Sequence, residues 1–371
     1  MKVAMIGHKV VPSRRGGIEK VLTSLCPLLV EAGAEVVCYN RSSDKVENEY
    51  VGTVVNKKYC GVTLKTAWTV ESRGLSAMIA SFTAAICATF SRYDVVHFHA
   101  EGPCAAMWIP KLFGKRCVAT VHGLDWQREK WGKGFASKYI KFGERVMVRC
   151  ADEIIVLSES ARAYFEETYH RKTVLIHNGI EQPVKKEAEK ITQLYGLAKD
   201  EYICMVCRLT AEKGVHYLID AYNRIKTDKK LVIAGGSSDT DSFLEEIQEM
   251  AASDARIRFT GFVQGKLLEE LYSNAYLYVL PSDLEGMPLS LLEAMSYGNC
   301  CLVSDIPECA DVVEDKALTF RKSDENDLKE KLQYICDHQD IAAKYKAQAA
   351  DFICEKYSWD AVVQETLALY R

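Results

Sequence analysis

Tyr278–Cys301 reads YVLPSDLEGMPLSLLEAMSYGNCC. Tyr276, Tyr278, Val279 and Leu280 form a short apolar, aromatic run that suits a buried strand. Pro281-Ser282-Asp283 punctuates it, and Gly286 frees the backbone of a turn. Pro288 stands where a first helical residue has no use for its N–H. Leu289, Leu292 and Met295 then recur at helical spacing, widened by Leu291 and Ala294. The stretch is therefore strand, glycine-containing turn, helix. In an α/β sheet that order marks a ligand-binding end, and a helix start favours negative groups.

Two carboxylates frame the turn. Glu285 lies in the loop and Glu293 about a turn and a half into the helix. Acids at an anion-favouring position suit sugar hydroxyls or a cationic transition state. A capping Glu and a solvated helix Glu would leave the same pattern, and spacing alone leaves the two readings level.

SDLEGMPLSLLEAMSYG (residues 282–298) resembles the Glu-x7-Glu signature of the family-4 retaining glycosyltransferases, which have the GT-B fold. The resemblance implies that Glu285 lies by the donor sugar and that Glu293 binds the donor ribose. Gly286-Met287-Pro288 replaces the Gly-Phe or Gly-Leu of many members. The same turn, Gly286 and Met287 included, is expected to contact the donor.

A chain of 371 residues should hold two domains. Its 48% hydrophobic and 26% charged content is that of globular proteins. A net charge of −4 argues against a general nucleic-acid binder. Fourteen cysteines are scattered, and Met1–Gly7 is strand-like rather than a secretory core, so reduced thiols in the cytoplasm are expected. Cys204 and Cys207 have redox spacing, but an odd offset within a strand sends them to opposite faces. Cys300-Cys301 fails in the same way.

Lys2–Gly7 reads as a first strand, followed by a polar loop to Gly17 and a helix whose apolar face runs from Ile18 to Leu29. Pro27 should kink that helix. Glu35–Tyr39 is the next strand, which gives a Rossmann-like opening without the G-x-G-x-x-G fingerprint. Thr53–Tyr59 and Gly61–Leu64 are short strand candidates. Leu75–Phe90 is uncharged but short for a membrane span, and so reads as a buried helix. Strands follow at Asp94–His99, Arg116–His122, Glu153–Leu157 and Val174–His177, with a helix over 135–150. The charged, proline-containing stretch Glu181–Lys190 reads as the linker. A second series of alternating strands and helices starts at Tyr202. Two parallel sheets covered by helices are expected. The resemblance makes them the two Rossmann-like, doubly wound domains of an α/β GT-B fold facing an interdomain cleft. The expected bounds are 1–182 for an acceptor-side domain and 183–355 for a nucleotide-sugar domain. A last helix, 356–371, returns to the first domain.

Arg208 directly follows a strand, and Lys213-Gly214 opens a helix. Two fixed cations at a strand's carboxyl end can neutralise a leaving diphosphate, and the spacing matches the family's Arg-x4-Lys-Gly pattern. A solvated loop explains an Arg directly after a buried strand less well. Gly235, in Ala234-Gly235-Gly236, resembles the family's glycine turn beside the nucleotide. Asp239-Thr-Asp241 imitates a metal-binding Asp-x-Asp, but its place before a helix suits capping, so no metal is expected. Gly16-Gly17 could bring backbone N–H groups close to a phosphate. The longer segment Gly7–Glu19 resembles bacterial rhamnosyltransferases of polysaccharide biosynthesis. Arg14 and Arg15 would then meet an anion, although two solvated arginines fit equally well.

Thr120–Asp125 resembles the family's His-Gly-x-Asp segment, which implies that His122 contacts the donor sugar. A lone strand-end His is more often a satisfied core residue, so the order of preference is His122, His99, His97. His177–Ile180 reads as structural. Trp126–Arg149 interleaves Arg128, Lys130, Lys133, Lys138, Lys141, Arg145 and Arg149 with aromatic residues. That suits either an anionic membrane surface or an ordinary helix with a basic outer face.

The expected activity is a retaining, metal-independent hexosyltransferase with Glu285, His122, Arg208 and Lys213 at the chemistry. Gly16, Gly17, Gly235, Gly286, Met287 and Glu293 complete the donor contacts. The co-substrate is a nucleotide-diphosphate sugar, dTDP-rhamnose or a UDP-sugar, and no further cofactor is expected. The acceptor is a glycan or a polyprenyl-pyrophosphate-linked sugar of a surface polysaccharide, met at the inner face of the plasma membrane. An epimerase of the same architecture and a non-catalytic subunit of a polysaccharide assembly complex are the alternatives.

Overall fold

Val3, Ala4, Met5 and Ile6 are excluded from solvent, and a strand apolar on both faces belongs inside a parallel sheet. The computed structural model describes residues 1–42, 52–72, 75–127, 134–236 and 241–371. Its described residues form two units, Met1–Gly179 with Trp359–Arg371, and Ile180–Ser358.

The first unit runs β1 (Lys2–Ile6), α1 (Gly17–Glu31), β2 (Glu35–Arg41), β3 (Lys58–Tyr59), β4 (Val62–Ala67), α2 (Leu75–Thr89), β5 (Val95–His99), α3 (Trp108–Leu112), β6 (Arg116–Val121), α4 (Phe135–Cys150), β7 (Glu153–Val156), α5 (Glu159–Tyr169) and β8 (Val174–Leu175). Its sheet has the order β3-β4-β2-β1-β5-β6-β7-β8, parallel except where β3 meets β4. The order turns back between β1 and β5, which pair in register from Val3–Val95 to Ile6–Phe98.

The second unit runs α6 (Lys190–Tyr195), β9 (Tyr202–Val206), α7 (Val215–Asn223), β10 (Lys230–Ala234), α8 (Asp241–Ala251), β11 (Ile257–Gly261), α9 (Lys266–Asn274), β12 (Leu277–Leu280), α10 (Leu289–Ser296), β13 (Cys300–Ser304), α11 (Pro307–Val313), β14 (Leu318–Phe320), α12 (Glu325–Asp337) and α13 (Gln339–Lys356). Its all-parallel sheet, β11-β10-β9-β12-β13-β14, has the doubly wound order 3-2-1-4-5-6. The switch point lies between β9 and β12. A final helix, α14 (Trp359–Leu369), packs in the first unit. Gly179 has no Cβ, which leaves room for the Trp359 ring: an added Cβ would lie 2.3 Å from it.

Several local expectations are corrected. Thr53–Tyr59 is a strand only at Lys58–Tyr59, because Asn56 and Lys57 take φ of 50° and 58° and turn the chain. The helix containing Pro27 runs unbroken from Gly17 to Glu31; the missing N–H costs only the Thr23 carbonyl its helical partner. Pro288 is the N-cap of α10 rather than its first residue, and its carbonyl accepts from the Leu291 and Leu292 N–H groups. In α2 the buried face is mostly small, Ala80, Ser81, Ala84, Ala85 and Ala88, while Ile86 is exposed. Among the described residues no helix is long and apolar enough to cross a membrane. All fourteen cysteines are free thiols.

Three histidines are buried in the first unit, His97 and His99 in β5 and His8 just past β1. Burial pushes His8 down to about 4, and burial with the nearby His122 ring pushes His97 down to about 3. Burial pushes His99 well down too. Unfolding lets each take up a proton below about 6.5, while the folded chain holds His8 neutral to about pH 4 and His97 to about pH 3, with His99 held down in the same direction. Their stabilisation is therefore complete above pH 6.5 and is lost as pH falls towards 4. Each group contributes about 1.4 kcal/mol for every tenfold by which folding lowers its proton affinity. Urea melts followed through the first unit's unfolding should show the midpoint falling from pH 7 to pH 4.5. In His97→Gln the fall should be shallower than in the wild type.

Candidate active site

The second unit's cluster is built on the two strands at its switch point. After β9 the chain makes a short turn at Ala211–Lys213 and enters α7. After β12 it makes the turn Pro281–Pro288. The two loops are joined through backbone. Asp283 N–H donates to the Glu212 carbonyl at 2.8 Å. Gly214, at φ 67°, lies so close to the Pro281 carbonyl that an added Cβ would stand 2.0 Å from its oxygen. Only glycine meets both demands. Tyr217 donates to Asp283 Oδ2 at 3.0 Å, and Ser323 donates to Asp283 Oδ1 at 2.7 Å.

This join places Lys213 Nζ 2.5 Å from Glu285 Oε1, with side chains 15% and 7% exposed. Ser282 Oγ donates to the same oxygen at 2.8 Å, and its own carbonyl accepts from Ser304 Oγ. A charge-assisted bond away from bulk water is stronger than a surface pair. Cys207, half-buried beside the cluster, has its thiol pushed up to about 12 by desolvation, Lys213 pulling the other way.

Arg208 is exposed at the end of β9. Gly235 approaches Cys207 so closely that a Cβ would lie 1.8 Å from its carbonyl oxygen, and Leu209 N–H donates to the Gly236 carbonyl at 3.1 Å. The loop after β10 is thus tied to the one after β9. Glu293, on α10, accepts from the buried Tyr272 hydroxyl at 3.4 Å. Gly286 is half-buried, and Met287 is 8% exposed. Asp239 lies outside the described residues, as does the side chain of Asp241. Among the described residues no three His, Cys, Asp or Glu side chains are placed to share a metal ion.

The first unit gathers its polar groups at the carboxyl ends of β1, β5 and β6. Gly7 allows β1 to pass close to the His99 carbonyl, 2.3 Å from where a Cβ would be. His97 is fully engaged: Nδ1 is 2.6 Å from the Tyr370 hydroxyl and Nε2 is 2.8 Å from Thr120 Oγ1. That is a structural role. His99 Nδ1 lies 3.1 Å from Nε2 of the half-buried His122. Gly16 caps α1 in extended backbone. Glu19 turns back on it, leaving 2.0 Å between its Oε2 and an added Cβ, and accepts the Lys9 N–H at 2.7 Å. Glu19 thus sets a carboxylate beside Gly16, and Gly17 is exposed. Arg14 and Arg15 are exposed beside it.

His177 Nδ1 meets the Leu157 carbonyl at 3.0 Å. Arg128, Lys130 and Lys133 lie outside the described residues. The described part of that stretch, α4, exposes Phe135, Lys138, Lys141, Phe142, Arg145 and Arg149, while Glu144 is buried.

Sequence reasoning passed over Ser282, which bonds to nearby Glu285, and Asp283 and Tyr217, which meet each other from sixty-six residues apart. It also passed over Glu101, which has no exposure. An acid two residues past a buried His-Phe-His strand end was the available signal.

Among known protein families, the profile "Glycosyl transferases group 1" matches residues 187–352, and "Glycosyltransferase Family 4" matches residues 15–182. The alpha-maltose-1-phosphate synthase of Mycolicibacterium smegmatis is 28% identical over 288 residues, 70% of this chain and 74% of that protein. Among solved structures, Anabaena Alr3699/HepE in complex with UDP-glucose superposes with a TM-score of 0.81 at 16% identity, covering 99% of each chain. Sucrose-phosphate synthase from Thermosynechococcus elongatus does so at 0.81 and 20%, covering 100% of this chain and 98% of that one. At such identities these two establish the fold. Two doubly wound parallel-sheet units, two matching profiles in tandem and these neighbours lead to one assignment: the chain belongs to the family-4, group 1 glycosyltransferases of GT-B fold.

Proposed function

We propose that the chain is a retaining, metal-independent glycosyltransferase that moves a sugar from a nucleotide-diphosphate donor to a surface glycan or its polyprenyl-pyrophosphate-linked precursor. The observation that carries this reading is the Lys213–Glu285 pair on two loops joined at the second sheet's switch point, where doubly wound sheets bind nucleotides. Lys213 and Arg208 hold the diphosphate, with Gly235 beside the nucleotide. Glu285 takes the sugar hydroxyls with the Gly286-Met287 turn, and Glu293 takes the ribose. In the first unit, His122 and the Gly16-Gly17 loop are the proposed donor contacts.

As the bond between the sugar's C1 and the phosphate oxygen breaks, its electron pair leaves with the diphosphate. The two cations stabilise that developing charge. The acceptor hydroxyl attacks C1 on the same face and passes its proton to the departing phosphate oxygen, so configuration is retained. The fixed cations supply the charge neutralisation a divalent metal would otherwise give. The UDP-glucose complex of Anabaena Alr3699/HepE supports a UDP-sugar donor; the Gly7–Glu19 segment supports dTDP-rhamnose.

The outer face of α4 supports a membrane-borne acceptor. Phe135 and Phe142 are 75% and 50% exposed and alternate with cations at helical spacing, with Glu144 turned inward. Basic and aromatic side chains on one face bind anionic bilayers.

Thermal-shift screening against UDP, dTDP, GDP and ADP tests the donor site. A ligand at a hundred times its Kd stabilises by about 2.7 kcal/mol. Lys213→Ala should weaken nucleotide binding by about ten- to a hundredfold, since a hydrogen bond to a charged group contributes roughly 1.5–3 kcal/mol. Unchanged binding would sink the reading. Glu285→Gln should keep nucleotide binding and lose transfer. Turnover should survive EDTA; its abolition, with recovery on adding a divalent cation, would overturn metal independence. On vesicles, the wild type should sediment with phosphatidylglycerol but not phosphatidylcholine, and a Phe135→Ser/Phe142→Ser variant should stay in the supernatant. Equal sedimentation of both proteins would remove the membrane face from the proposal.

A further inference from the structure

The turn that carries His122 is held at both ends by the last residue of β5 and the loop just after it. At its start, His122 meets His99. At its end, the Asp125 N–H donates to Glu101 Oε1 at 3.2 Å. His99 and Glu101 flank Ala100, which sits at φ 72°. A non-glycine residue there is strained and persists only where its surroundings fix it. They do: Ala100 N–H donates to the Thr120 carbonyl at 2.9 Å. Helix α4 also crosses so close to the Glu101 carbonyl that a Cβ on Gly143 would lie 2.1 Å from its oxygen.

Glu101 therefore has a clamped backbone and a side chain with no exposure. A buried carboxyl needs a reason to be there. Its Oε2 has no hydrogen-bond partner among the described residues. Burial and the neighbouring Asp125 and Glu144 push its carboxyl well above the usual range. Cys104, which follows on the same side, has its own thiol pushed up by burial and by Glu101. The Glu101 carboxyl is tied to the turn through the Asp125 N–H.

We propose that Glu101 is a positioning residue for the transfer reaction: through the Asp125 N–H it fixes the turn that presents His122 to the donor. Glu101 itself touches no substrate. The proposal rests on the donor-side role given to His122 above.

Four variants test it: Glu101→Ala, Glu101→Gln, His122→Ala and the Glu101→Ala/His122→Ala double. Thermal melts establish that each is folded. Hydrogen exchange read at the Asp125 amide reports the contact without using activity. Glu101→Ala should lose protection there, and Glu101→Gln, whose amide oxygen can still accept, should keep it. In turnover, Glu101→Ala should lower kcat by about tenfold or more with donor KM moving less than about twofold, a small displacement of a reacting group being sufficient for such a loss. Glu101→Gln should stay within about threefold of wild type, and the double variant should be no slower than His122→Ala, as for residues that act as a unit.

Unchanged Asp125 exchange in Glu101→Ala overturns the proposal. So does a loss in Glu101→Gln as deep as in Glu101→Ala, or a double variant whose losses multiply. If His122→Ala loses turnover while Glu101→Ala keeps it, the positioning proposal alone falls. If His122→Ala keeps full turnover, the donor-side role of His122 falls and takes the proposal with it.

Discussion

A parallel sheet wound in both directions must turn back somewhere, and at that point the loops leaving adjacent strands diverge. The second unit turns back between β9 and β12. Left to themselves the two loops would separate. Gly214 against the Pro281 carbonyl and the Asp283–Glu212 backbone bond draw them together again. Everything placed at this end depends on that join: the Lys213–Glu285 pair, Ser282 steering the carboxylate, and Tyr217 bracing Asp283. The interaction is mostly backbone, so it fixes position without using the charged side chains it brings together.

The first unit solves a comparable problem with side chains. Its sheet turns back between β1 and β5, and the space is filled with rings and acids: His8, His97, His99 and Glu101, all buried. Only neutral imidazoles can be kept there cheaply, and burial holds them neutral. His97 has both nitrogens engaged, which removes it from chemistry and makes it a brace between Thr120 and Tyr370. His122 is the one member of this histidine group that reaches partial exposure.

Much of the architecture could be read from the residues, because parallel strands are continuous apolar runs and helices have an apolar period. Tyr278–Leu280, Cys300–Ser304 and Leu231–Ala234 carry that signal on their face. Local turns were less legible. Nothing in Val54–Lys57 announces two consecutive positive φ values, and α5 was passed over although Ser158, whose hydroxyl accepts the Ala161 N–H, is a plain helix-start residue. In the candidate site the charged residues stood out by type and spacing. Their supports did not. Asp283 meets Tyr217 and Ser323, sixty-six and forty residues away, and Glu101 reaches Asp125 across two strands. A sequence shows which groups can react more readily than it shows which groups hold them still, because holding is a matter of contacts made only after folding.

Lys213 is at rest against a counter-ion of its own. A bare inorganic anion arriving there must compete with Glu285 for the ammonium group and offers the displaced carboxylate nothing in return. A molecule that brings an ester phosphate together with hydroxyl groups can satisfy both partners at once. In the proposed reaction such a pair would select by charge rather than by shape: the two groups screen each other from simple ions and would yield together to a compound ligand.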